Sequence, residues 1–168
     1  SGVLTVVAKL FGLIRPQMAV FGRKDAQQCL AIRQMVENLH LPVRLVDLPT
    51  VRETDGLAMS SRNRYLNPAQ RSHALCLSRA LNTAKEMVIG GERSAAGLRS
   101  AMRNELAVAD FVEYAEIRQV PDLEEMVTLS GQVLLAVAAR VGPARLIDNL
   151  VLDLSGEEVQ DGYLMGNL

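Results

Sequence analysis

Between residues 18 and 48 the chain reads strand, helix, strand, and that order leaves little choice of architecture. Met18-Ala19-Val20-Phe21 is a short apolar run with the composition of a buried strand over 18–21. Beyond Gly22, read as the turn, and Asp25, which opens the next element, the period changes to that of a helix over 26–39. Cys29, Ile32, Val36 and Leu39 fall on one face, with Leu30 and Met35 widening the stripe. Leu41-Pro42 breaks that pattern, and 43–48 reads as a second strand. Two strands joined through a helix form a crossover unit, which implies a parallel sheet. Ahead of them Val3, Val6, Val7, Leu10, Phe11 and Ile14 repeat at helical spacing until Pro16. A leading helix of this kind ordinarily follows a strand. The expectation is that an N-terminal part of this domain is missing, and that the helix carries an exposed apolar flank where its sheet would continue.

After residue 50 the pattern changes. A polar loop runs through Gly56 to Asn63, and Asn67-Pro68-Ala69-Gln70 has the form of an N-cap, a proline at the first helical position and a capping-box glutamine. One helix is expected over 68–89, stopped by Gly90-Gly91, and another over 94–106. Strands are expected over 111–120, 132–141 and 145–154, with turns around Pro121-Asp122 and Gly142-Pro143 that favour an antiparallel meander. The fold class expected is therefore α/β: a partial Rossmann-like sheet in domain 1–50, then a small α+β domain over 51–154 with a three-stranded antiparallel sheet. Residues 155–168 have no clear period and are expected to form a loose tail without an assigned role.

With 168 residues, 49% of them apolar, the chain can bury one sizeable core or two small ones. A net charge of −1 implies no general affinity for nucleic acid or membrane, but it hides an asymmetry. Residues 1–75 hold 10 Lys and Arg against 5 Asp and Glu, whereas 76–168 hold 8 against 14. The basic half is where an anionic small molecule would be drawn. Three Phe, three Tyr and no Trp offer no stacking surface for single-stranded nucleic acid. Cys29 and Cys76 are read as free buried thiols of a reducing cytoplasm. Two histidines exclude a histidine-rich metal site, and no apolar run approaches the ~20 residues of a membrane span.

Two polar segments carry the chemistry. In the first, residues 21–28 (FGRKDAQQ), Arg23 and Lys24 lie at the positive end of a helix, where cations are disfavoured unless an anion lies between. A bound phosphate is the usual anion there. The competing reading is an ordinary turn with Asp25 as N-cap and two solvated cations. No GxxxxGK[ST] is present, so this is not a P-loop. Gln27 and Gln28 lie in the first helical turn, within reach of the same crevice. The second segment, residues 59–64 (MSSRNR), places two hydroxyls beside an arginine fork suited to a phosphate chain, or is a solvated loop. Asp55-Gly56 reads as a turn rather than a catalytic carboxylate. Asp148 and Asn149 interrupt an apolar strand and read as a turn or bulge. The methionines are scattered and read mostly as core.

Together GVLTVVAKLF, FGRKDAQQ, PTVRETDGLAMSSRNRYL and the late ARLIDN strand resemble the pantothenate synthetases (pantoate–β-alanine ligases), members of the adenylate-forming nucleotidyltransferase group, over the chain to about Leu154. The resemblance implies a coenzyme A precursor pathway, and a reaction in which pantoate and ATP with Mg²⁺ give pantoyl-adenylate and pyrophosphate. β-Alanine then releases AMP and pantothenate. It implies Gly22, Arg23, Lys24 and Asp25 at ATP, with Lys24 on the phosphates and Asp25 towards the ribose. Gln28 is implied at pantoate, the Val51 backbone near adenine, and Met59, Ser60, Ser61 and Arg62 around the nucleotide; Lys24 and Arg62 are the catalytic pair. MSSR corresponds to that group's mobile phosphate-binding signature. The family's His-x-Gly-His motif has no match here, so the chain resembles the C-terminal portion of such an enzyme, lacking the N-terminal half, and is expected to be inactive alone. A homodimer is implied for the full-length enzyme. The alternatives are a non-catalytic domain that only packs against the missing half, and a related nucleotidyltransferase with another acid substrate.

Overall fold

The computed structural model describes residues 2–165, which divide into two compact units: residues 2–49 with 163–165, and Thr50–Gly162. The first unit opens with α1 (Gly2–Ile14), which ends as Arg15 turns into the left-handed region ahead of Pro16. Then come β1 (Met18–Gly22), α2 (Ala26–Asn38) and β2 (Arg44–Leu48). The two strands pair in parallel from Met18 opposite Arg44 to Gly22 opposite Leu48, the register that the crossover order requires. Gly22 closes β1 rather than forming the turn itself.

Helix α2 buries Ala26, Cys29, Leu30, Ile32 and Val36. Leu39, expected on that buried face, is 58% exposed, because the helix has already stopped there. His40 takes a left-handed φ of 48° and the Leu41 N–H reaches back to the Val36 carbonyl at 3.0 Å, closing the end as Pro42 prevents continuation. Helix α1 has no buried residue at all, with Val6 58% and Leu13 81% exposed, and β1 leaves Met18 and Val20 open as well. The apolar flank expected of the leading helix is there.

The second unit stacks helices on a sheet. The helix expected over 68–89 is two: α3 (Pro68–Ala74), opened by the Asn67–Gln70 capping box, and α4 (Cys76–Ile89). At the break the Leu75 carbonyl still accepts from the Arg79 N–H at 3.0 Å and also from the Ser78 hydroxyl at 3.0 Å. Ser94 caps α5 (Ala95–Leu106). Strands β3 (Phe111–Gln119), β4 (Gln132–Val141) and β5 (Ala144–Asp153) form the expected meander. Leu77, Leu81, Leu98, Met102 and Leu106 pack with Ile117, Val133, Leu135, Val137 and Leu152 in one core between helices and sheet. Met102 and Met165 are buried, whereas Met18 and Met59 are exposed, so the methionines are less uniformly core than expected.

Two expectations are overturned here. Asp148 and Asn149 make neither turn nor bulge: both lie in unbroken register within β5, opposite Val137 and Ala136. The strand tolerates a buried Asp148 because Arg52 donates to both its carboxylate oxygens, at 2.6 and 3.2 Å. Nor do residues 155–165 form a loose tail; the rest of that expected tail, 166–168, lies outside the described residues. β6 (Gln160–Asp161) adds a fourth strand beside β5, and Leu164 is fully buried in the first unit.

Candidate functional site

The first polar segment sits where β1 gives way to α2. The Arg23 N–H donates to the Leu48 carbonyl at 3.0 Å, carrying the strand pairing one residue beyond β1. Asp25 is the N-cap, its Oδ1 accepting from the Gln28 N–H at 3.1 Å. Below the turn Ala26 and Cys29 are buried, and the Cys29 thiol donates to the Gly22 carbonyl. Burial, and then the negative charges of Asp47 and Asp25, push that thiol up to about 12, so it is a packing group and no nucleophile. Lys24 and Gln28 are half-buried, Asp25 and Gln27 exposed. A Cβ built on Gly22 meets nothing within 4 Å, so the space above the strand end is open to a ligand's approach.

Arg23 departs from both readings of the sequence. It is neither solvated nor held in wait for an external anion, because the chain supplies its own: Arg23 Nε lies 2.9 Å from Asp47 Oδ2, with the two side chains 9% and 0% exposed. Asp47 was the missed residue. Its signal was a single acid inside the otherwise apolar end of the second strand, next to a basic turn.

The second polar segment is a folded loop of the other unit. Val51 is 64% exposed, and its carbonyl accepts from the Met59 N–H at 2.9 Å. Met59 is itself exposed. Ser60 caps a 3-10 turn, Ser61–Tyr65, its Oγ accepting from the Arg62 N–H at 3.3 Å. Ser61 and Arg62 are exposed on that turn, and Arg64 stacks over the Tyr65 ring at 4.8 Å.

Asn63, which the sequence reading passed over, is the hub of this loop. It is buried at 6% exposure, and its amide donates to the Ala58 carbonyl at 3.1 Å and to Glu53 Oε1. Glu53 in turn holds Arg71, which also holds Asp55, and Asp55 accepts from the Leu57 N–H. Asp55-Gly56 is thus the turn expected of it, with Gly56 at φ +92°. The Asn63 amide and then Arg71 hold the Glu53 carboxyl below the usual range. Burial works against Asp55, but the Leu57 N–H and Arg71 outweigh it.

Elsewhere in the first unit an apolar cavity of about 310 Å³ lies at the opposite end of the strands, lined by Phe11, Pro16, Leu41 and Val43. Among the described residues no cluster of three or more His, Cys, Asp or Glu could hold a metal ion. No helix among them is long and apolar enough to cross a membrane.

Known proteins resemble this chain in sequence and in fold. A family model for pantoate-beta-alanine ligase matches residues 1–151. A pantothenate synthetase of Heliobacterium modesticaldum is 51% identical over 158 residues, which are 91% of this chain and 55% of the relative. One from Moorella thermoacetica is 47% identical over 92% of this chain and 55% of its own length. The crystal structure of pantothenate synthetase from Thermus thermophilus superimposes with a TM-score of 0.84 at 44% identity, covering 92% of this chain and 56% of that one. A pantoate-beta-alanine ligase from Francisella tularensis, complexed with beta-gamma ATP and beta-alanine, aligns with a TM-score of 0.54 at 27% identity, over 90% of this chain and 49% of that one. The chain spans about half the length of the relatives it matches.

Proposed function

The chain belongs to the pantoate-beta-alanine ligase family, and from that premise we propose that its two polar segments are the nucleotide-handling part of an ATP-dependent ligase. The reaction joins pantoate to β-alanine in two steps. A pantoate carboxylate oxygen attacks the α-phosphorus of ATP, the bond to the oxygen bridging to the β-phosphate breaks, and pyrophosphate leaves pantoyl-adenylate. The β-alanine amine then attacks the acyl carbon, loses a proton and expels AMP, leaving pantothenate.

The observation that carries this reading is the strand-to-helix turn: a parallel strand opening into an Asp25-capped helix, with open space over Gly22 and Lys24 beside it. Gly22, Arg23, Lys24 and Asp25 form the turn on the nucleotide side, with Lys24 towards the phosphates, Arg23 supporting the turn from beneath, Asp25 towards the ribose and Gln28 towards pantoate. Val51 supplies backbone near adenine, and Met59, Ser60, Ser61 and Arg62 surround the nucleotide and its phosphates. Negative charge builds as a carboxylate meets a triphosphate. The positive charges of Lys24 and Arg62 are proposed to offset it. Mg²⁺ belongs to this proposal as the companion of ATP; with no protein cluster fitted to a metal among the described residues, no step is assigned to it. A homodimer and a cytoplasmic location complete the reading.

The chain spans 55% of its relatives, and we propose that alone it does not complete the cycle. The open apolar flank of α1 fits the alternative, a domain that only packs against a complementary portion. Calorimetry with ATP and Mg²⁺ separates the two. Weak binding abolished by Lys24→Ala supports the nucleotide site, and no binding at millimolar ATP leaves only packing. Pantoate-dependent ATP–pyrophosphate exchange, measured after the chain is completed with the N-terminal portion of a relative, tests the substrate. Exchange with a different acid refutes it. In that enzyme Arg62→Ala lowers turnover about 10²–10³-fold. Arg62→Lys falls between the two, because charge survives while the two-pronged fork is lost.

A further inference from the structure

Residues 163–165 lie past the stretch that the family model matches, yet the first unit seals them in: Leu164 is 0% exposed and Met165 9%. The backbone N–H groups of both donate to one atom, Asp47 Oδ1, at 3.0 and 2.8 Å. From α2, Arg33 Nη1 donates to the Leu164 carbonyl at 3.2 Å and fastens the segment from its other side. The second oxygen of Asp47 faces Arg23. One buried carboxylate therefore ties together the C-terminal segment, the end of β2 and the first residue of the turn.

We infer that Asp47 is a positioning residue for the 22–25 turn, and that residues 163–165 are the strap that holds its carboxylate in place; this rests on the nucleotide reading of that turn. A desolvated ion pair keeps its geometry only when its remaining lone pairs are satisfied. The two strap N–H groups satisfy Oδ1 of Asp47 and so leave Oδ2 as the oxygen that faces Arg23. Arg23, with its side chain 9% exposed, then acts on the turn from beneath rather than on a ligand arriving from solvent. That leaves Lys24 as the cation presented at the helix start.

Two variants of the full chain test this. Met165→Pro deletes one strap N–H without altering charge, and Asp47→Asn deletes the ion pair. Three measurements are made: the NMR resonance of the Arg23 Nε–H, amide exchange at Arg23 and Gln28, and ATP affinity. Met165→Pro is expected to shift and broaden the Arg23 Nε–H signal and to speed exchange at both amides roughly threefold to tenfold, as one net hydrogen bond implies. It leaves β4 and β5 amides unchanged and weakens ATP binding by a similar factor. Asp47→Asn does more, and the double variant no more than Asp47→Asn alone, because both act along one path. An unmoved Arg23 signal with unchanged exchange in Met165→Pro overturns the inference, as do effects that multiply in the double variant. Should Asp47→Asn fail to fold, Met165→Pro decides. Should the unaltered chain bind no ATP, the nucleotide reading fails, while the NMR and exchange results still decide the strap.

Discussion

Replacing Asn63 removes the side chain that holds the 59–64 loop from within. Its amide donates to a buried Ala58 carbonyl at 3.1 Å, and in Asn63→Ala that carbonyl loses this donor. The cost of such an orphaned acceptor is about 1–3 kcal/mol. At the Glu53 end, where the side chain is 28% exposed, water takes over the lost bond. With a urea dependence of roughly 1–3 kcal/mol per molar for a unit this size, the unfolding midpoint drops by about 1 M. Asn63→Asp is worse at neutral pH, because it sets a carboxylate against both the Ala58 carbonyl and Glu53. Those neighbours raise the new carboxyl above its unfolded value of about 3.9. The penalty is therefore complete above the raised value and fades as pH falls through it, once the protonated acid can donate to Ala58. Urea titrations of both variants between pH 4 and 8, with amide exchange across 58–64, check this. A midpoint loss under about 0.2 M for Asn63→Ala, or an Asn63→Asp penalty that does not shrink on acidification, refutes the hub.

Other outcomes follow from the same geometry. Glu53 is held below its unfolded value, so its contribution is complete above about pH 4.3 and is lost as pH falls through the lower folded value. Glu53→Gln is accordingly less stable than the unaltered chain at pH 7, and the two denaturation curves converge on acidification; parallel curves would contradict this. Asp148→Ala costs about 2 kcal/mol in urea unfolding, short of the 3–5 of a fully buried pair because Arg52 keeps about a third of its exposure. A loss below about 0.5 kcal/mol would show the pair to be incidental. Met102→Ala, in the second core, costs about 2–5 kcal/mol, whereas Leu13→Ala on the open face of α1 stays within about 0.5. Equal losses would mean that α1 is covered in solution.

Most of the elements were legible because their signals are local. A proline after Ile14, a capping box at Asn67 and an apolar run through 132–141 bounded by turn residues each act within a few residues of chain. The open flank of α1 followed from the same kind of reading, since an apolar stripe needs a partner whether or not one is present. What misled were residues whose fate depended on distant ones. Asp148 looked like a strand breaker until Arg52, 96 residues earlier in the chain, supplied its counter-charge. The division of the expected 68–89 helix at Leu75 likewise left no mark in the residue pattern.

The candidate site divides along the same line. Its residue types and their order, a basic turn at a strand end and two serines beside an arginine, stand in the sequence and suffice to point to an anionic ligand. Tertiary structure alone decided which of those charges faces inward. Arg23 and Lys24 are neighbours of one sign at one helix start, yet Arg23 is paired and covered because the parallel register sets Leu48 beside it and Asp47 beneath it. Periodicity says which face of a strand is buried, but it carries no record of which segment, 117 residues further along, returns to bond the acid on that face.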